Sequence, residues 1–160
     1  MTVIRRVAND QWPTVAWLWQ AYRNDLAEIC SSVPRADGRY NHSHLDAYEG
    51  SRDHVGYLAW EDEGPVGFAL VHGLVDGPRS IGGFYVVPFL RRSGLGRRLA
   101  LDVIERHPAP WTIAFQHDNL AAGRFWRAVA TEAFGEGWTE DVRPVPGKPD
   151  VPPDHWITTT

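Results

Sequence analysis

The run Gly83-Phe84-Tyr85-Val86-Val87-Pro88-Phe89-Leu90-Arg91-Arg92-Ser93-Gly94-Leu95-Gly96-Arg97-Arg98-Leu99 constrains the fold of this chain more than any other stretch. Aromatic and β-branched residues stop at Pro88, which cannot donate to a strand ladder. Arginines and two glycines follow. An apolar stripe at Leu95, Leu99, Val103 and Ile104 then repeats at helical spacing. The order is strand, sharp turn, helix N-terminus. A helix start presents unpaired N–H groups and the positive end of the helix dipole. Gly94 and Gly96 let backbone approach an anion closely. Arg91, Arg92, Arg97 and Arg98 add forked donors suited to phosphate oxygens. Basic residues at a helix N-terminus oppose the dipole by ~0.3–1 kcal/mol each unless an anion is present. The stretch is expected to cradle a diphosphate; the bland alternative is a strand–turn–helix corner with a solvated basic turn.

Spacing decides between cradles. The nucleoside-triphosphate loop needs a lysine after its last glycine, and the only lysine, Lys148, is far away. The dinucleotide fingerprint needs a third glycine, and Leu99 stands there. Val86-Val87-Pro88 leading into Arg91-Arg92-Ser93-Gly94-Leu95-Gly96 instead resembles motif A of the GNAT N-acetyltransferases. Asn119-Leu120-Ala121-Ala122-Gly123-Arg124-Phe125-Trp126 resembles that family's N-x-x-A-x-x-F-Y segment, with tryptophan in place of tyrosine. Trp19–Leu26, Gly67–Val71 and Phe125–Arg127 are similar to a bacterial branch of acetyltransferases, a likeness that supplies no acceptor.

The resemblance implies an α/β (α+β) GNAT fold. Its sheet would be mixed, mostly antiparallel and six- to seven-stranded, flanked by helices and splayed between strands four and five. It implies acetyl-coenzyme A as co-substrate. The pyrophosphate would meet the backbone amides of Arg92, Ser93, Gly94, Leu95, Gly96 and Arg97, with Arg91 also among the cofactor-binding residues. The pantetheine arm would run along Phe84, Tyr85 and Val86, touching Asn119 and Phe125. Asn119 is equally a helix N-cap, and Trp126 equally a core residue.

Length and composition agree with one domain over residues 1–160. Hydrophobic residues make up 43% of the 160, enough for a packed core. A net charge of −4 argues against a general nucleic-acid surface. One cysteine, Cys30, leaves no internal disulfide and no cysteine-rich metal site, so no metal is expected. No apolar run approaches the ~18 residues of a membrane span, and no charged-apolar leader is seen. A cytoplasmic monomer or homodimer without nucleic-acid or membrane partners is expected.

Along the chain, a strand is predicted at residues 2–7 and a helix capped by Asp10 with Pro13 in its first turn. A loop with a short helix near Ser43–Glu49 follows. Further strands are predicted at 55–60, 66–75, 80–87, 111–115, 137–142 and 155–158, with helices at 94–106 and after Asn119.

Catalytic expectations are less sharp. The Val86 N–H is expected to face the developing oxyanion. The family tyrosine protonates the leaving thiolate; an indole N–H donates a hydrogen bond but gives up no proton, so Trp126 would only shield the thiolate. No carboxylate stands in Arg79-Ser80-Ile81-Gly82-Gly83 to act as base. His117, at the end of the fifth strand, is expected to take the amine's proton, with His42, His44 and His72 as competitors. Tyr22, Asp25 and Tyr40 are expected to receive a small primary amine through charge and aromatic contact. Two rival readings stay open: a non-catalytic acyl-coenzyme A sensor, and a protein lysine acetyltransferase.

Overall fold

The computed structural model describes residues 1–160. Seven strands form one sheet: β1 (Thr2–Arg6), β2 (His54–Glu61), β3 (Gly64–His72), β4 (Arg79–Val86), β5 (Trp111–Phe115), β6 (Trp138–Arg143) and β7 (Asp154–Thr159). Helices α1 (Trp12–Cys30), α2 (Leu95–Arg106) and α3 (Leu120–Phe134) flank it. The spatial order is β1-β2-β3-β4-β5-β7-β6. Every pairing is antiparallel except β4 with β5, which the α2 crossover makes parallel. The expected mixed, mostly antiparallel architecture is therefore present.

Alternation along the strands sorts two cores onto the two faces. Leu58, Phe68, Leu70 and Tyr85 pack with Val15 and Trp19 of α1. Ala59, Ala69, Val71 and Val86 pack with Leu99 and Val103 of α2 and Val129 of α3.

Three boundaries differ from expectation. Asp10 lies inside a 3-10 turn, Asn9–Gln11, and Gln11 is the N-cap of α1. The Asp10 carboxylate thus precedes the helix rather than capping it. Strand β3 ends at His72, short of the predicted Val75, because Gly73 turns left-handed at φ 80°. The short helix after α1 is 3-10, Ser43–Ala47.

The seam between β4 and β5 positions the site. It holds only two pairs, Arg79 with Trp111 and Ser80 with Thr112. On its other edge β4 pairs Ile81 with Val71 and Gly83 with Leu70, leaving Gly82 unpaired. A bulge bends its strand. This one falls two residues after the last β4–β5 pair, so the strands part there and the expected splay follows.

Candidate active site

The parting strands open a cleft of about 720 Å³ that runs from α1 through the sheet to α2 and α3, a size that suits a small-molecule site. Its middle is lined by unpaired backbone. Val87 N–H bonds Val66 O of β3 at 2.9 Å. Amides alternate sides along a strand, so Val86 N–H, and Phe84 N–H two residues earlier, turn toward β5 where no pairing exists. The Val86 carbonyl, on that same side, accepts from Arg91 Nε at 2.9 Å.

At one end of the cleft lies the start of α2. Gly94 is its N-cap with φ 89°, and a Cβ there would meet nothing within 4 Å. The first helical bond is Arg98 N–H to Gly94 O at 3.0 Å. The N–H groups of Gly96 and Arg97 therefore have no backbone acceptor. Leu95 N–H reaches only Ser93 Oγ, at 3.4 Å. A Cβ on Gly96 would lie 3.4 Å from the Phe125 ring, so glycine keeps this corner open. Such a row of free amides, at the positive end of a dipole and without a Cβ above it, fits a diphosphate.

The arginines divide differently from expectation. Arg91 pairs with Asp25 of α1 and Arg97 with Glu132 of α3. Arg98 donates to the Thr2 carbonyl at 2.9 Å. These cations answer carboxylates and a carbonyl brought in by other elements, so the basic turn does not need an anion to be tolerated. Arg92, at φ 65° and exposed, keeps no ion-pair partner and borders the cleft.

On the α3 face, Phe84, Phe125 and Trp126 form an aromatic group, with Phe84 edge-on to Trp126 at 5.0 Å. Trp126 is 5% exposed and belongs to the core, yet it also borders the cleft. Asn119 caps α3: its Oδ1 accepts the Ala122 N–H at 3.2 Å, and its Nδ2 donates to Gln116 Oε1 at 3.3 Å.

On the α1 face, Tyr22, Leu26 and Ile29 line the wall with Gly82 and Gly83. Burial pushes the Tyr22 hydroxyl up to about 12, so it stays protonated. Asp25 borders the cleft but is tied to Arg91. Tyr40 does not border it. That residue is buried beneath α1, with Gln20 bonded to its backbone and its hydroxyl 3.3 Å from Asn24 Oδ1. His117 is also outside, turned toward β7. Its Nδ1 lies 2.9 Å from His155 Nε2, and His155 Nδ1 lies 3.1 Å from Glu140. Arg127 clasps Glu140 with two donors and holds its carboxyl below the usual range. The end of β5 thus delivers His117 to a surface network rather than to the gap.

A constellation that sequence spacing did not reveal stands behind Gly82. A Cβ there would overlap the Tyr48 hydroxyl and lie 3.2 Å from both His44 Nε2 and His72 Cδ2. Tyr48 is 2% exposed and its hydroxyl has no hydrogen-bond partner. An orphaned buried hydroxyl costs roughly 1–3 kcal/mol. His54 faces His72 across β2 and β3 in direct register, a pairing visible only once the bulged register is known.

The model of the acetyltransferase (GNAT) family matches residues 12–130. No curated protein matches the chain by sequence. Among solved structures, the ribosomal-protein-S18-alanine N-acetyltransferase of Escherichia coli is 17% identical, with 99% of this chain and 92% of that one covered and a TM-score of 0.66. A candidate streptothricin acetyltransferase of Bacillus anthracis, in complex with acetyl coenzyme A, is 14% identical, with 99% and 98% covered and a TM-score of 0.66. An acetyltransferase of Thermus thermophilus is 16% identical, with 99% and 96% covered and a TM-score of 0.67. No helix of the chain is long and apolar enough to cross a membrane, and no cluster of three metal-ligating side chains occurs.

Proposed function

The chain belongs to the acetyltransferase (GNAT) family, and on that ground we propose that it transfers an acetyl group from acetyl-coenzyme A to the primary amine of a small molecule by direct attack. The observation that carries this reading is the gap. Two strands part after two pairs, and the orphaned amides of β4 and of the α2 start line the same cleft. The start of α2 would hold the pyrophosphate, with Arg92 beside it. Phe84 and Val86 would offer the strand-like hydrogen bonds that an extended amide-bearing arm needs. Either N–H would also stabilise an oxyanion on the acetyl carbonyl. Phe125 and Trp126 would cover the arm from the α3 side. Two bound reactants held in one cleft supply much of the rate through proximity.

A small acceptor is favoured over a lysine on a protein by the α1 wall. Its side chains are mostly apolar or aromatic, and its carboxylate, Asp25, is already neutralised. An acidic groove for a basic peptide is not what these residues build.

The test is calorimetry with coenzyme A, followed by thiol release from acetyl-coenzyme A with a panel of primary amines. Binding together with amine-dependent thiol release supports the proposal. Binding without any thiol release would favour an acyl-coenzyme A sensor, and no binding would refute both. Within the same assay, Arg92→Gln is expected to weaken coenzyme A binding about tenfold, near 1.4 kcal/mol. Arg98→Gln, altering a side chain engaged with the Thr2 carbonyl, is expected to leave affinity within about twofold.

Trp126→Phe is expected to reduce turnover less than about tenfold, because the indole supplies no proton. A loss beyond ~100-fold, the scale of a positioned acid–base group, would show that the indole N–H has a larger role.

A further inference from the structure

We infer that His44 is the proton-accepting residue of the acceptor site, held against the Gly82 bulge by the cluster of Tyr48, His54 and His72. The inference rests on the acetyltransferase reading above and deepens it. Gly82 borders the cleft, and the position a Cβ would take on it touches this cluster. Because residue 82 has no side chain, nothing at that position fills the space between the cleft wall and the His44 and His72 rings. It is also the unpaired residue of the bulge, so the backbone kink that opens the gap sets the distance to His44.

The cluster fixes one ring and leaves it reachable. His44 stacks on Trp19 with centroids 5.4 Å apart and planes at 18°, yet remains open to solvent. Tyr48 packs beneath it at 5.6 Å and edge-on to His54 at 4.9 Å. His54 lies 5.8 Å from His72 and is anchored by Ser51 Oγ at 2.9 Å from Nδ1. The unpartnered Tyr48 hydroxyl, directed at Gly82, has lone pairs free for a cation formed beside it. It is a positioning group, not a proton donor, since burial raises its pKa.

The charged and titratable groups facing His44 are Arg23 of α1, His54 of β2, His72 of β3 and Tyr48, with Asp53 beyond the two strand histidines. Burial, helped by His54 and Arg23 and opposed by the Gly82 carbonyl, lowers His44 below its ordinary 6.5. The ring is neutral at pH 7, as a base must be.

The step balances as follows. The amine lone pair forms the C–N bond to the thioester carbon, and the carbonyl π pair moves onto oxygen. The surplus N–H proton passes to the His44 imidazole. As C=O re-forms, the C–S bond breaks, and its electron pair leaves with the thiolate, which takes a proton from solvent. His44 returns its proton to solvent.

The experiment measures single-turnover loss of bound acetyl-coenzyme A with water and with 2-phenylethylamine as probe acceptors, across pH. His44→Gln is expected to bind coenzyme A normally, to lose ~100-fold or more in rate, and to lose the acid limb expected of the parent on the acid side of the ordinary histidine range. His117→Gln is expected to match the parent. The inference is overturned if His44→Gln keeps the parent rate and pH profile. It is equally overturned if His117→Gln carries the loss, or if bound thioester reacts with neither probe. Absence of coenzyme A binding in the parent would overturn the acetyltransferase reading and this inference with it.

Discussion

Gly94→Val is expected to weaken coenzyme A binding by ~100-fold or more, about 2.8 kcal/mol, while the protein still unfolds cooperatively. Two effects act together. Gly94 sits at φ 89°, where a β-branched residue is strained by ~1–3 kcal/mol. The valine must either hold that strain or rotate the turn, and rotation turns the free amides of Gly96 and Arg97 away from the cleft. The space around a Cβ is open, so nothing in the core is disturbed and the fold should survive. Titration calorimetry with coenzyme A, beside a denaturant melt, checks both halves. Undiminished affinity would mean that the start of α2 does not hold the pyrophosphate.

Trp111→Ala is expected to remove ~3–5 kcal/mol of stability, a large share of the ~5–15 kcal/mol typical of a domain. Trp111 is fully buried and is the largest side chain in that state. Its indole N–H donates to the His107 carbonyl at 2.9 Å, and its backbone N–H donates to Thr159 Oγ1 at 2.9 Å. It is also one of the two β5 residues that pair with β4. Truncation leaves a cavity and an orphaned carbonyl, and it loosens the seam that sets the width of the cleft. Urea denaturation gives the loss directly; a change below about 1 kcal/mol, the ordinary scale of a tolerated substitution, would show that the site collapses without cost.

Local pattern carried much of this fold. Period-two runs, glycine and proline punctuation and the stripe of α2 are properties of neighbouring residues, and they placed all seven strands and three helices near their observed bounds. Contacts between distant residues were not legible. Arg91 meets a carboxylate 66 residues away and Arg97 one 35 residues away, so half of an arginine cluster that looked uncompensated is paired with carboxylates of α1 and α3. His117 follows β5 in the chain, but β7 packs beside that strand and His155 captures it. Tyr40 shares the aromatic character of a binding wall, yet Gln20 ties its backbone beneath α1. The converse holds at Gly82. His44, Tyr48 and His72 come from a loop and a neighbouring strand, and only a bulge in the β3–β4 register brings them to one point.

A sheet joined across its middle by two rungs, Arg79 with Trp111 and Ser80 with Thr112, is two leaves on a short spine. Each leaf is continuous on its own side, β1 to β4 and β5 to β6, but little main-chain bonding crosses between them. Any guest gripped by the free amides along that fissure becomes a splice. It bridges the leaves where the polypeptide leaves them unjoined, so occupancy and cohesion of the sheet rise together.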